Sequence, residues 1–181
     1  MKIILSELAS PLGAMALARD EQFRVRALDF VERRSRLLRN LREHYGPCEL
    51  TNGPAPDVTS NALQQYFAGE LDALNAIDIA TAGSPMQERV WAQLRRIPAG
   101  QTTTYGAVAQ SLAIHDWRGA LDVGAAVGAN PIAIVVPCHR VLGANNELKG
   151  YAWGLHRKRW LLEHEGAIAA RLVVPETASL F

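Results

Sequence analysis

The chain has 181 residues, 49% of them apolar and 20% charged, an ordinary globular composition that excludes disordered and fibrous classes. Nineteen basic residues against 18 acidic give a formal charge of +1, so no global field recruits a nucleic acid, an anionic membrane or an acidic substrate, and any polyanion must be met by a local patch. Two cysteines, Cys48 and Cys138, are too few for a disulfide scaffold or a Cys-rich zinc site and suit a reducing, cytoplasmic setting, and no stretch approaches the roughly 20 apolar residues that span a bilayer.

Three short strands are expected first, over 2–5, 13–19 and 23–30, separated by the Ser10-Pro11-Leu12-Gly13 turn and the Asp20-Glu21 pair. An amphipathic helix follows over about 31–45, with Leu37, Leu38 and Leu41 at helical spacing. Arg33, Arg34, Arg36, Arg39 and Arg42 surround that stripe. Such density suits a nucleic-acid surface, but no aromatics interleave, and a solvated helix face is the plainer reading. Gly53-Pro54-Ala55-Pro56 reads as a loop, and Asp57 or Ser60 can cap a helix that runs to about Gly69. Residues 77–84 read as a strand entering a linker, which places a domain boundary between 83 and 84. Residues 1–83 carry nine basic and 11 acidic side chains (−2) and residues 84–181 ten and seven (+3), so the second half is the better candidate for a polyanion.

Ser84-Pro85 is a helix start, N-cap then proline, and that helix runs to Ile97, where Pro98-Ala99-Gly100 stops it. Thr103 or Thr104 starts a short helix over 105–112, and a turn at His115-Asp116 precedes another over about 117–127. Two short helices joined by a tight turn form a helix-turn-helix, a shape that docks on duplex DNA and also occurs as plain packing. After Asn130-Pro131, the apolar run from Ile132 to Val136 reads as a buried strand ending in Pro137-Cys138-His139-Arg140. A last helix spans 156–166, and the tail alternates apolar residues at Leu172, Val173 and Val174 without suggesting chemistry.

A thiol beside an imidazole at the end of a buried segment points to nucleophilic chemistry. A free thiol titrates near 8.5, so about 3% is thiolate at pH 7. Lowering that value by about two units makes thiolate the major form, worth roughly 2.7 kcal/mol. A base oriented by a carboxylate is the usual device, and Glu163 and Glu165 are both candidates for that carboxylate. Adjacent residues need not point the same way, so a water between Cys138 and His139 is compatible with the pairing.

Pro137-Cys138-His139-Arg140-Val141 resembles the active-site motif of the O6-alkylguanine-DNA alkyltransferases. Segments agreeing in order and spacing are Ile97-Pro98-Ala99-Gly100, Thr104-Tyr105-Gly106, Ala129-Asn130-Pro131, Gly150-Tyr151-Ala152-Trp153-Gly154 and Trp160 through Gly166. The match is dense over 84–167 and looser at Ser10-Pro11-Leu12-Gly13 and Tyr66-Phe67-Ala68-Gly69. The resemblance implies an α/β (α+β) architecture, with a small ribonuclease H-like sheet domain over 1–83 and a mostly helical, winged helix-turn-helix-like domain over 84–181. It also implies a monomer that acts on double-stranded DNA containing O6-alkylguanine, with O4-alkylthymine a second candidate substrate, and with no metal and no organic cofactor. Cys138 would attack the alkyl carbon and keep it as a thioether, one turnover per molecule. His139 would take the thiol proton, Glu165 would orient His139, and Asn130 would hold the turn. Tyr105 would donate a proton toward guanine N3 in a flipped-base pocket, and the backbone of Cys138, Val141 and Ala152 would read the base. Thr104, Tyr105, Arg118, Ala120, Leu121 and Gly124 would face DNA.

Two positions depart from the family pattern. Leu121 stands where an arginine usually fills the gap left by the flipped nucleotide. A leucine can act as an apolar wedge but cannot donate hydrogen bonds, and Asp122 adds a negative charge near phosphates. Arg118 lies one helical turn earlier, within reach of a phosphate. Trp153 replaces a small residue and is expected to reshape the pocket rim. The competing readings are a competent variant with weakened duplex binding, a damage-binding module without chemistry, against which Cys138 argues, and a thiol hydrolase, which turnover would reveal.

Overall fold

A computed structural model describes residues 1–170; the alternating tail segment lies outside them. The N-terminal half is a four-stranded sheet of order β3-β2-β1-β4, formed by β1 (Lys2–Leu8), β2 (Met15–Arg19), β3 (Val25–Phe30) and β4 (Glu49–Asn52). β1, β2 and β3 form an antiparallel meander, while β4 returns parallel to β1 after the helix α1 (Arg34–Tyr45). That return needs a crossover because parallel neighbours cannot be joined by a hairpin. The four-residue edge strand β4, sequence ELTN, is mostly exposed and has no apolar alternation to announce it.

Strand alternation divides the sheet into two faces. Ile3, Leu5, Ala16, Ala18 and Ala27 pack with Leu37 and Leu41 of α1. Met15, Leu17, Val25, Leu28 and Phe30 join the larger core, which includes α2 (Asp57–Phe67) and the C-terminal half. The two halves therefore share one apolar interior. Contrary to the capping expectation, α2 has Pro56 at its N-cap, with no side-chain cap, and Asp57 inside the first turn, where its charge suits the helix dipole. Residues 77–84 do not form the expected strand: Ile79 alone bridges β3, at Val25.

The C-terminal half holds α3 (Pro85–Leu94), α4 (Tyr105–Ser111), α5 (Gly119–Gly128) and α6 (Leu155–His164), with a small parallel pair, β5 (Thr103–Thr104) against β6 (Val141–Leu142). Ser84 and Gln87 form a reciprocal capping box around Pro85, as the start signal predicts. Thr104 caps α4, its hydroxyl accepting from the Ala107 amide at 3.2 Å. No helix of the described residues is long and apolar enough to cross a membrane.

The expected strand over 132–136 is absent. Ile132 bridges Leu28 of β3, with the Leu28 amide donating to the Pro131 carbonyl and the Ala133 amide to Leu28. Beyond that point the chain coils through tight turns, Val135 to Ala133 and Cys138 to Val136, with Ile134 at φ +67. The run is apolar because it is buried from both sides, which periodicity alone cannot distinguish from a strand. Its single bridge nevertheless fixes the thiol-bearing segment to the edge of the N-terminal sheet.

Candidate active site

Cys138 opens a short 3-10 turn, Cys138–Arg140, directly after the coiled run. Its side chain is buried, 3% exposed. Asn130 straddles this loop: Nδ2 donates to the Val136 carbonyl at 2.9 Å and to Cys138 Sγ at 3.2 Å, and Oδ1 accepts from the Ile132 amide at 2.9 Å. One amide thus fixes the turn and contacts the sulfur. Burial pushes the Cys138 thiol up to about 11, against the Asn130 hydrogen bond and the charges of Lys158 and Arg36. The resting group is a thiol, not the pre-formed thiolate of the simplest sequence argument.

Glu165, just past α6, is the carboxylate that meets the histidine, with Oε1 2.8 Å from His139 Nε2. Glu163 instead faces Arg159 at 3.7 Å. Glu165 Oε1 also accepts from Tyr66 Oη at 2.7 Å and Arg140 Nη2 at 2.9 Å, while Oε2 accepts from Arg140 Nε at 2.9 Å and the Gly100 amide at 3.4 Å. Burial alone would raise the carboxyl, but the donors on His139 and Arg140 outweigh it and hold it well below the usual range. Burial lowers His139, and Glu165 opposes that shift. With Nε2 facing an ionised carboxylate, Nε2 carries the proton. Nδ1 is left as the basic nitrogen, buried with no hydrogen-bond partner among the described residues.

Arg140 and Tyr66 are site residues that the sequence reading did not assign. The signal was available for Arg140, since a buried arginine beside a catalytic-type pair requires a carboxylate. Arg140 also reaches the Ile97 carbonyl at 2.5 Å, and Gly100 at φ +78 would bring a Cβ within 3.0 Å of the Glu165 carbonyl. The 97–100 turn is therefore a cradle for this pair. Lys158 was missed as well: its fully buried ammonium donates to the carbonyls of Val141 (2.6 Å), Lys149 (2.7 Å) and Gly150 (3.2 Å). Burial lowers it to about 8, opposed by Cys138.

Val141 is buried in β6 and its carbonyl already serves Lys158, while Ala152 and Tyr105 are half-buried. Burial raises the Tyr105 phenol, with Cys138 adding to the shift, so the two side chains are within electrostatic reach. Trp153 is not at a rim. It is 1% exposed, and Nε1 donates to Asp29 Oδ1 of β3 at 2.6 Å.

Asp29 is itself bound by Arg36 at 3.0 Å, and the Arg36 guanidinium covers the Trp153 ring and donates to the carbonyls of Gly128 (3.3 Å) and Asn130 (3.1 Å). The arginine-rich face is solvated at Arg33, Arg39 and Arg42, but Arg36 turns inward as a clasp between the halves. Burial raises Asp29 even with Arg36 opposing it. Arg36→Met is expected to cost about 2 kcal/mol, less than the roughly 3–5 for orphaning a buried charge, because Asp29 takes up a proton instead. A raised carboxylate value means that the folded state binds more protons, so the variant gains stability as pH falls through the Asp29 titration. Urea unfolding of both proteins across that range checks the sign; parallel pH profiles rule the clasp out.

α4 and α5 frame a cleft of about 580 Å³, lined by Thr104, Tyr105, Gly106, Ala120, Leu121, Gly124 and Ala144. It does not open on Cys138. Tyr105 links the two places, since it lines the cleft and also senses the thiol. Arg118, at the N-cap position of α5, and Leu121 are exposed. Among the described residues no group of three or more His, Cys, Asp or Glu is placed to hold a metal ion.

Residues 3–81 match the model of the 6-O-methylguanine DNA methyltransferase ribonuclease-like domain, and residues 85–167 match that of the corresponding DNA binding domain. The methylated-DNA–protein-cysteine methyltransferase of Salmonella typhimurium is 45% identical over 168 residues, covering 92% of this chain and 97% of that protein. The protein of the same name from Mycobacterium tuberculosis is 44% identical over 131 residues, covering 71% and 78%. The crystal structure of Mycobacterium tuberculosis OGT in complex with DNA superposes with a TM-score of 0.72 at 35% identity, covering 92% and 94%.

Proposed function

Because the chain belongs to the 6-O-methylguanine DNA methyltransferase family, we propose that it repairs O6-alkylguanine in duplex DNA by moving the alkyl group onto its own Cys138. The observation that carries this reading is the buried series in which Asn130 contacts the thiol and Glu165 orients His139. The Cys138 proton passes through a bridging water to His139 Nδ1 as sulfur attacks the alkyl carbon. The carbon–O6 bond breaks, its electron pair stays on guanine, and Tyr105 delivers a proton to N3; His139 then releases its added proton to water and Tyr105 regains one from water, so the net proton movement is from thiol to base. The product is a thioether, which water does not release, and each molecule reacts once. The target must leave the stack, because a buried thiol cannot reach O6 inside a duplex. Val141 and Ala152 contact the base through their backbone, and Trp153 supports that loop from behind.

We place the division between the halves at residue 83; the family matches ending at 81 and resuming at 85 support it. We also read the protein as a cytoplasmic monomer; its sparse thiols suit a reducing compartment. Incubating the protein with duplex containing O6-methylguanine is expected to add one methyl group, mapped by mass spectrometry to Cys138, with stoichiometry saturating at one. Continued turnover would identify a hydrolase instead.

Leu121, 65% exposed on α5, favours a variant with the same chemistry and weaker duplex affinity. Leu121→Arg is expected to tighten duplex binding several-fold and to steepen the dependence of log K on log salt by about 0.9, the slope for one added phosphate contact. Tight, salt-sensitive binding by the unaltered protein that this change fails to improve would sink the variant reading.

A further inference from the structure

The turn into α5 carries the two most exposed large apolar side chains of the described C-terminal half, Trp117 at 84% and Leu121 at 65%. The other three tryptophans are sheltered: Trp91 donates to the Ala126 carbonyl, Trp153 to Asp29, and Trp160 stacks on His164. The Arg118 guanidinium lies 5.5 Å from the Trp117 ring centroid. An indole is among the largest apolar surfaces a side chain can bury, so one left in solvent has its natural contact outside the fold.

The turn holds it there. Asp116 Oδ1 accepts from the Arg118 amide at 2.8 Å, and its carbonyl accepts from the Gly119 amide at 3.1 Å. A Cβ at Gly119 would lie 2.9 Å from Ile114 Cγ2 and 3.1 Å from its carbonyl, so the turn is already in close contact with its own base. Trp117 stands immediately before the N-cap of α5 and Leu121 four residues later. Leu121 lines the cleft with Tyr105, Ala120 and Gly124, and Trp117 lies beyond it toward the helix N-terminus. In a helix-turn-helix that end of the second helix approaches the bases. Arg118 can meet a phosphate, but Asp122 offsets its charge, so attraction to phosphate alone does not account for contact there.

We infer that Trp117 is a DNA-contacting aromatic, stacking its indole on a base left unstacked beside the extruded nucleotide while Leu121 occupies the adjoining gap. This rests on the repair reading above. The occupant is a nucleobase, because the surface continues the DNA face and every base offers a π-surface to an indole.

The test compares the full-length protein with Trp117→Ala, Trp117→Phe and Arg118→Ala on duplex containing O6-methylguanine, over a range of salt. Duplex is expected to quench tryptophan emission in the unaltered protein, and Trp117→Phe to lose most of that quench. Trp117→Ala is expected to weaken binding about tenfold, with the Phe variant intermediate. Neither Trp117 variant should change the salt slope, whereas Arg118→Ala should reduce it by about 0.9. The thermal midpoint of Trp117→Ala should match the unaltered protein, because the side chain is 84% exposed and buries little in the fold. Unchanged affinity and quench in the Trp117 variants would overturn the inference. So would sedimentation showing that Trp117 drives self-association with DNA affinity intact. Absence of methyl on Cys138 of the unaltered protein would instead overturn the repair reading.

Discussion

Cys138→Ala is expected to take up no methyl group from O6-methylguanine duplex, while Cys48→Ala is expected to react at the rate of the unaltered protein. The two thiols differ in every respect that matters for this. Cys48 is half-buried after α1, donates only to the Gly46 carbonyl at 3.4 Å and packs on the smaller core. Cys138 is enclosed, contacted by Asn130 and followed by the oriented imidazole. Loss of sulfur removes the nucleophile but leaves Asn130 bonded to Val136 and Ile132, so Cys138→Ala should cost only about 1 kcal/mol of stability. A thiol raised to about 11 is roughly one part in 10⁴ ionised at pH 7, too little for a mechanism that waits for free thiolate. In the proposed mechanism, proton transfer to His139 therefore accompanies attack. The rate constant for capture should then be level through neutral pH and fall only below the ordinary histidine value of 6.5, since burial lowers His139. Stopped-time methyl transfer from pH 5 to 9 distinguishes this from free thiolate, which would give a tenfold rise per pH unit.

The chemistry was more legible in the sequence than the fold around it. The pairing of Cys138 with His139 and the caps at Ser84 and Thr104 are local signals, written in adjacent residues. The run from Ile132 to Val136 misled because burial on all sides looks the same in composition whether the backbone extends or coils, and the positive φ of Ile134 leaves no trace in the residue type. Arg36 and Tyr66 could not be found by spacing. Their partners lie 94 and 99 residues away, at Asn130 and Glu165, and only the shared core brings them together. Trp153 misled through the opposite error, an assumption that a bulky residue in a substrate loop faces the substrate. Its N–H requires a buried acceptor, and Asp29 across the interface supplies one.

Glu165→Ala is expected to be the most destabilising single change in the site. All five hydrogen bonds to this carboxylate come from donors, and its removal strands the Arg140 guanidinium, the Tyr66 hydroxyl and His139 Nε2 in the interior. Breaking a buried ion pair from one side costs about 3–5 kcal/mol, which for a chain of this size lowers Tm by roughly 6–20 °C. Glu165→Gln should not restore it, because the amide turns an NH₂ toward donors. Capture should fall by about 10²- to 10⁴-fold as His139 loses both its orientation and the charge that stabilises its protonated form. Acid supplies an independent readout. The folded-state value of Glu165 lies below the ordinary 4.5, so its stabilisation is complete above pH 4.5 and is lost as pH falls through the folded value. Asp20 is held low in the same way, by its hydrogen bonds to Arg26 and Arg24 against burial, so the unaltered protein loses stability in acid through more than one carboxylate. The difference between the unaltered and Glu165→Gln unfolding free energies isolates Glu165: it should be constant at neutral pH and shrink in acid. A difference that stayed constant down to pH 2 would mean that the carboxylate is not ionised in the fold, and the proton relay would then lack the charge that His139 requires.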